Sequence, residues 1–406
     1  MGNGVVIVGA GHAGGTAAAL LRQYGYEDPI TLIGDEPIAP YQRPPLSKAW
    51  LKGEADADSL ALKPESYYAG ANIDLRLSAS AVEIRRDSHT VVLKNGETVA
   101  YDALILATGA RARLLDAPGA DLDGVQPLRS AADAEALKAR LGPGKRAAIV
   151  GGGYIGLEAA ASARALGAEA VVIELQPRIL ARSSSPTLSD FFMHYHQARG
   201  VTFELNAGVA GFEGANGKVT GVRLSDGRVI ACDVALVGIG VIPNDDLAKA
   251  AGLECANGIV VDDQSRTADP AIYAIGDVTQ RPLALYDRSF RLESVANALE
   301  QAKQVAAAIT SRPAPPPEVT WNWSDQYDLK LQLGGLPFDV DNDVVRGDPA
   351  SGKFAVFHLK GDLIQSVEAV NAPAEFMAGR QLIGNRKPVS REKLADPTVS
   401  MKEVAA

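Results

Sequence analysis

The chain has 406 residues, 47% hydrophobic and 22% charged, which places it among ordinary globular proteins with room for two or three domains. A formal net charge of −9 and an isoelectric point near 5.2 argue against sequence-independent nucleic-acid binding, and no Lys/Arg block offsets them. No apolar run is long enough to span a bilayer, and no leader is expected ahead of the first strand. With two cysteines, Cys232 and Cys255, far apart and outside any C-x-x-C pattern, a cytoplasmic protein with buried thiols is expected.

The first predicted element is a buried parallel strand over residues 5–8, four β-branched aliphatics in a row, running into Gly9-Ala10-Gly11-His12-Ala13-Gly14 and an alanine-rich helix over 16–21. Gly9 is expected to make the turn, Gly11 to let backbone approach a pyrophosphate, and Gly14 to let the helix pack closely on the strand. A second strand, 30–33, ends in Gly34-Asp35-Glu36, about twenty residues past the third glycine, where a ribose hydroxyl needs an acceptor. Pro44 and Pro45 then forbid a continuous helix, and Ser47 is a candidate cap for the next one. Short strands are predicted at 74–77, 82–85 and 91–93, with Asn95-Gly96 as a hairpin turn. Residues 102–109, DALILATG, read as a buried strand ending in a small-residue turn, and 111–124 as a linker between domains.

Residues 147–156, AAIVGGGYIG, restate the opening motif with glycines at 151, 153 and 156. A helix over 155–165 and a strand over 170–173 ending in Glu174 complete a second strand–turn–helix–strand–acid unit, and two such units are far more specific than one. A helix at 187–198, strands near 201–205, 219–224 and 233–237, and the segment 238–244 close that domain. Another apolar strand ends in Gly276-Asp277, a helix comes next at 293–310, and the proline-rich 312–317 stops it. From residue 318 the chain is aromatic and strand-rich, with strands at 353–359 and 363–370 and a helix at 374–383, as in a small α+β domain.

The two glycine motifs, with Ala107-Thr108-Gly109 between them and Gly276-Asp277 after them, resemble the flavoprotein superfamily with two dinucleotide-binding domains. RPPLSK (43–48), GGGYIGLE (151–158), LYDR (285–288), ESVANALEQA (293–302) and WNWSDQYD (321–328) narrow the resemblance to single-component NADH-dependent ferredoxin reductases, across essentially the whole chain. The resemblance implies an α/β fold with Rossmann-like FAD- and NAD-binding domains and a C-terminal α+β domain. Residues 1–111 and 246–317 would hold FAD, 112–245 would hold NADH, and 318–406 would form the last domain.

By the same resemblance, Gly9, Gly11, His12, Ala13 and Gly14 belong to the cofactor site with Ala13 at the FAD pyrophosphate, Asp35, beside Glu36, would hold its ribose, and Val82 would contact the adenine end. Arg43, Lys48, Arg129, Ala107, Thr108, Gly109, Gly276 and Trp323 would complete the FAD site, with Lys48 beside the reactive N5 and Asp277 holding the ribityl chain. Val295 would open the helix whose positive end faces the pyrimidine edge, a placement that suits reduced flavin. Gly151, Gly153, Tyr154, Ile155, Gly156, Glu174 and Gly238 would hold NADH.

A carboxylate at Glu174 favours NADH by repelling a 2′-phosphate, although Arg178 and Arg182 lie near enough to leave NADPH open. Glu158 is either a structural first-turn acid or, by the resemblance, a group near the nicotinamide paired with Lys48. Trp321 and Trp323 are either C-terminal core or neighbours of the flavin. No metal and no redox thiol are expected, since the early helix region carries Pro44-Pro45-Leu46-Ser47 where disulfide reductases carry cysteines. The implied partner is a [2Fe–2S] ferredoxin serving an oxygenase, a haem-thiolate monooxygenase being favoured. Lys303, Lys330, Arg386 and Lys387 are the candidates for docking it. Another flavin-dependent NADH–acceptor reductase, such as a monodehydroascorbate reductase, or an apoptosis-inducing-factor-like flavoprotein is the alternative.

Overall fold

The computed structural model describes residues 2–405. Contacts divide the chain into two compact units, residues 2–42, 57–111 and 242–318 in the first and 43–56, 112–241 and 319–405 in the second.

In the first unit the strand Val5–Val8 is the middle of a five-stranded sheet, flanked by Ala103–Leu106 and then Ile272–Ala274 on one side, and by Ile30–Ile33 and then Ile73–Arg76 on the other. Every pairing is parallel. A parallel pair needs a crossover, and helix His12–Gln23 supplies the one between Val5–Val8 and Ile30–Ile33. The helix starts four residues earlier than apolar periodicity suggests, because glycines inside the turn itself already have helical geometry. Alternation sorts the strand's side chains. Val5 and Ile7 join Ala17 and Leu21 of that helix and Ala302 and Val305 of helix Val295–Ile309 in one core. Val6 and Val8 join Ile84, Val91 and Val99 of the antiparallel sheet Ala81–Arg85, Thr90–Leu93, Thr98–Ala100 in another.

Within 102–109 the strand spans Ala103–Leu106 and gives way to the small residues Ala107-Thr108-Gly109, as expected. Beyond it the chain is locked to Asn244: the Thr108 hydroxyl donates to the Asn244 carbonyl at 2.7 Å, and the Asn244 side-chain amide donates to the Thr108 carbonyl at 2.9 Å. Behind the helix Val295–Ile309 lies a buried ion pair, Arg281 Nη1 to Glu300 Oε2 at 3.0 Å, with both residues 6% exposed. Arg281→Met should leave the Glu300 carboxylate buried without its counter-charge. A loss of about 3–5 kcal/mol is expected, read as a lowered thermal midpoint.

The second unit repeats the plan. Arg146–Val150 is central in a parallel sheet, between Glu169–Ile173 and Val201–Glu204 on one side and Val234–Val237 and Val125–Gln126 on the other. Helix Tyr154–Ala165 makes the crossover, and an antiparallel meander, Val209–Ala215, Lys218–Leu224, Val229–Ala231, covers one face. Residues 319–405 cluster within this unit. They form a five-stranded antiparallel sheet ordered Trp321–Gln326, Leu329–Gly335, Leu363–Val370, Lys353–Lys360, Asn342–Asp348, with helix Pro373–Asn385 against it.

Candidate functional site

The two glycine turns are the same object built twice. Gly9 has φ +114° and Gly151 φ +110°, conformations open to glycine and costly for any other residue. A Cβ on Gly9 would stand 2.2 Å from the Ala107 carbonyl oxygen, and one on Gly151 2.4 Å from that of Gly238. At the third glycine, a Cβ on Gly14 would stand 1.9 Å from the Gly9 carbonyl oxygen and one on Gly156 2.2 Å from that of Gly151, so helix and turn touch through bare backbone. The middle glycines differ. A Cβ on Gly11 or Gly153 would meet nothing within 4 Å. Each of these two caps its helix without a side-chain hydrogen bond, and neither first turn carries an acid, so backbone N–H groups and the positive helix end are left to an anion.

This division of labour separates fold from ligand by mutation. Gly14→Ala should destabilise the protein by about 3 kcal/mol or more through overpacking. Gly11→Val, whose side chain meets no protein atom within 4 Å of its Cβ, should unfold no more readily than the natural protein. Thermal unfolding of the two variants checks the pair.

In the first unit the structure gathers several predicted residues around the Gly9–Gly14 turn. The Ala107 amide donates to the Val8 carbonyl at 2.7 Å. Gly276, at φ +81°, stands against Ala13, with a Cβ placed 3.1 Å from that of Ala13. The Gly276 amide donates to Gln301 Oε1 at 2.8 Å, and the Thr279 hydroxyl donates to the same oxygen at 2.9 Å. Gln301 thereby ties the Gly276-Asp277 turn to the helix that Val295 opens, with Ser294 as its cap. That role is invisible to periodicity, since Gln301 reads as one polar residue in an amphipathic helix.

His12 Nδ1 is buried without a hydrogen-bond partner among the described residues, and burial lowers the imidazole pKa against the pull of Asp277. A satisfied core would not leave such an atom; a bound polar group would pair it. Asp35 and Glu36 part company: Glu36 accepts from the Tyr41 hydroxyl at 2.7 Å, whereas Asp35 is exposed at the strand end. Val82, 52% exposed, lies on the neighbouring sheet.

In the second unit Glu174 is held by backbone. Its Oε2 accepts from the Gly152 amide at 2.7 Å and its Oε1 from the Gln176 amide at 2.8 Å, which aims the carboxylate at the glycine turn. Arg178 donates to the carbonyls of Ala181 and Ser184 and to the Ser189 hydroxyl, while Arg182 is exposed. Tyr154 bonds Ser184 Oγ at 2.6 Å, with its phenol pKa raised by burial, and Ile155 is exposed at the helix start.

Ser47 does not cap the following helix. It ends a 3-10 turn, Pro44–Ser47, and helix Ala49–Lys52 has no side-chain cap. Its hydroxyl instead donates to Glu158 Oε2 at 2.5 Å. Lys48 Nζ pairs with the same oxygen at 2.8 Å, and Ser324 Oγ donates to Glu158 Oε1 at 2.6 Å. Glu158, 4% exposed, is thus a buried acid with a counter-charge, and the pairing with Lys48 expected from the resemblance is present. Arg43 Nη1 donates to the Arg129 carbonyl at 2.6 Å.

Trp321 and Trp323 are half-buried with ring centroids 5.6 Å apart, and Trp321 also packs edge-on against Phe376. Cys232 lies in the core beneath the meander, where burial pushes its thiol up to about 12, and Cys255 is half-buried. Lys303 is paired with Glu318 at 3.2 Å.

Residues 3–302 match the family described as pyridine nucleotide-disulphide oxidoreductase, and residues 321–405 match the reductase C-terminal family. The chain belongs to the pyridine nucleotide-disulphide oxidoreductase family. It is 54% identical over 402 residues to a probable ferredoxin reductase of Castellaniella defragrans, covering 99% of this chain and 98% of that one. It is 42% identical to putidaredoxin reductase of Pseudomonas putida, covering 99% and 96%. Among solved structures it superposes on the covalent putidaredoxin reductase–putidaredoxin complex with a TM-score of 0.97 at 41% identity, covering 99% of this chain and 97% of that one. The ferredoxin reductase for the CYP199A2 system of Rhodopseudomonas palustris gives 0.95 at 42% identity, with complete coverage of both chains. The oxidoreductase therefore matches these relatives through its C-terminal sheet as well as through its two nucleotide-binding turns, as the sequence resemblance implied. Among its described residues no helix is long and apolar enough to cross a membrane.

Proposed function

We infer that this oxidoreductase passes electrons from NADH through FAD to a [2Fe–2S] ferredoxin that supplies an oxygenase, with a haem-thiolate monooxygenase as the favoured terminal partner and the cytoplasm as its compartment. The observation that carries this is the doubled glycine turn joined to a reductase-type C-terminal sheet, in a chain whose only cysteines, Cys232 and Cys255, are a core residue and a lone strand residue. A disulfide-exchanging relative needs a vicinal or paired thiol, and this chain has none to offer.

In this proposal residues 1–111 and 246–317 hold FAD, 112–245 hold NADH, and 318–406 form the C-terminal domain. FAD, when bound, supplies the chemistry that protein groups lack, accepting a hydride and releasing electrons singly. The chain's own contribution is placement and charge. The first-turn amides after Gly11 and Gly153 hold the two pyrophosphates, and Asp35 and Glu174 accept from ribose hydroxyls. The helix opened by Val295 presents its positive end to the pyrimidine edge, and Lys48, steadied by Glu158, sets a positive charge beside N5. Positioning the nicotinamide against the acceptor and excluding water act together with that charge, with no protein acid needed.

Both this protein and ferredoxins of the expected kind are acidic, so a local basic patch has to steer docking against the net charge. The exposed Lys330 and Lys387 suit that role better than Lys303, whose charge Glu318 already answers. The deciding experiment is NADH-driven cytochrome c reduction by the FAD-loaded protein. A large, saturable stimulation by a [2Fe–2S] ferredoxin is expected. Rapid flavin reduction with stimulation by a rubredoxin alone would reassign the acceptor, a pertinent comparison because a Pseudomonas putida rubredoxin-NAD(+) reductase is 43% identical over 91% of this chain and 96% of its own length.

A further inference from the structure

The Lys48–Glu158 pair is one end of a longer buried structure. Ser324 Oγ, which donates to Glu158 Oε1 at 2.6 Å, itself accepts from Gln326 Nε2 at 3.1 Å. Gln326 Oε1 is 2.7 Å from His196 Nε2, and the Tyr327 hydroxyl lies 3.4 Å from His196 Nδ1. An amide oxygen can only accept, so Nε2 of the imidazole must carry the proton and Nδ1 must be the acceptor. Every donor then points the same way, from Tyr327 through His196, Gln326 and Ser324 to the Glu158 carboxylate.

Ser324 and Gln326 are each 1% exposed and His196 0%. Burial pushes the imidazole down to about 4, so it is neutral at pH 7 and adds no competing charge. The other carboxylate oxygen is filled from the opposite side by Ser47 and Lys48, and Ser47 is anchored in turn by Ser162 Oγ, which donates to its carbonyl at 2.7 Å. Glu158 is thus bonded on both oxygens, and the direction of its second oxygen, together with the Pro44 carbonyl that accepts from Lys48 Nζ at 3.2 Å, decides where the Lys48 ammonium sits.

A core could fill this volume with aliphatic side chains and avoid the risk of unsatisfied groups. An aligned series of neutral dipoles ending on a single charge has a different use: it fixes that charge in orientation. We propose that Ser324, Gln326 and His196 are positioning residues for the Lys48–Glu158 pair, through which the C-terminal strand Trp321–Gln326 sets the orientation of the Lys48 ammonium. The inference rests on the proposed function only in placing that ammonium beside the flavin.

The test uses the FAD-loaded full chain. Nitrogen-15 spectra of the histidine rings should show His196 protonated at Nε2. Gln326→Leu, which touches neither Lys48 nor Glu158, should shift the Lys48 side-chain resonance, assigned by its loss in Lys48→Met. In stopped flow, Ser324→Ala should slow flavin reduction at saturating NADH about tenfold, the worth of one charge-assisted hydrogen bond, and Ser324→Thr should restore most of it. A ring protonated at Nδ1, or an unmoved Lys48 resonance in folded Gln326→Leu, overturns the relay. Unchanged reduction by folded Ser324→Ala overturns it as well. The two NMR readouts do not depend on turnover. Failure of the natural protein itself to be reduced by NADH would instead remove the functional proposal and leave the relay to be judged by the spectra.

Discussion

Lys48→Met should reduce the rate of flavin reduction by NADH by about a hundred- to a thousandfold, the range seen when one preorganised electrostatic group is removed from a reacting centre. Two effects combine. The positive charge proposed beside N5 is lost, and the Glu158 carboxylate, 4% exposed, keeps its hydroxyl donors Ser47 and Ser324 but loses its counter-charge. The second effect also costs stability, about 3 kcal/mol for a buried charge left without its partner. Lys48→Met combined with Glu158→Gln separates them. The double variant should regain thermal stability, since no uncompensated charge remains, while flavin reduction stays slow. Recovery of the rate with the stability would show that Lys48 acts only by neutralising Glu158. Single-turnover reduction and thermal unfolding of the single and double variants beside the natural protein decide it.

Glu174→Ala should lower kcat/KM for NADH by about a hundredfold or more and leave that for NADPH nearly unchanged, so that the preference between the two coenzymes collapses. The carboxylate is proposed to accept from both ribose hydroxyls, and a hydrogen bond to a charged group is worth about 1.5–3 kcal/mol. It also braces the turn itself, through the Gly152 and Gln176 amides at 2.7 and 2.8 Å. For NADPH the relief of repulsion is offset by the ribose hydrogen bond lost with the carboxylate, and Arg178, the nearer guanidinium in sequence, is anchored to the Ala181 and Ser184 carbonyls and the Ser189 hydroxyl. Adding a basic group, as in Glu174→Ala with Leu175→Arg at the exposed Leu175, should be needed to raise NADPH use. Steady-state kinetics with both coenzymes checks each step. A rise in NADPH activity from Glu174→Ala alone would mean that the carboxylate's repulsion of the 2′-phosphate outweighs the ribose hydrogen bonds lost with it.

The amino-acid sequence determined the parts of this protein that are local and repeated. Val5–Val8 into Gly9, and Arg146–Val150 into Gly151, are legible because strand, turn and helix start are encoded in contiguous residues, each with a steric reason for its type. The positions of the acids Asp35 and Glu174 are set by the length of one crossover helix. The helix over 293–310, two of the five strands of the C-terminal sheet (353–359 and 363–370) and the separation of the two cysteines were equally visible. Contacts whose partners lie far apart along the chain were not. Ser47 looks like a helix cap from its neighbours, but its hydroxyl finds Glu158, 111 residues on. Ser324 and Gln326, two apart on a strand, point to one face, a hint of a buried polar face that only the position of Glu158 makes meaningful. Gln301 and His196 are ordinary polar residues of amphipathic helices until the turn at Gly276 and the side chain of Gln326 meet them. Local conformation is set by sterics within a few residues, and so it is written in order along the chain. A buried hydrogen bond depends on which distant atom arrives within about 3 Å, and only the folded chain decides that.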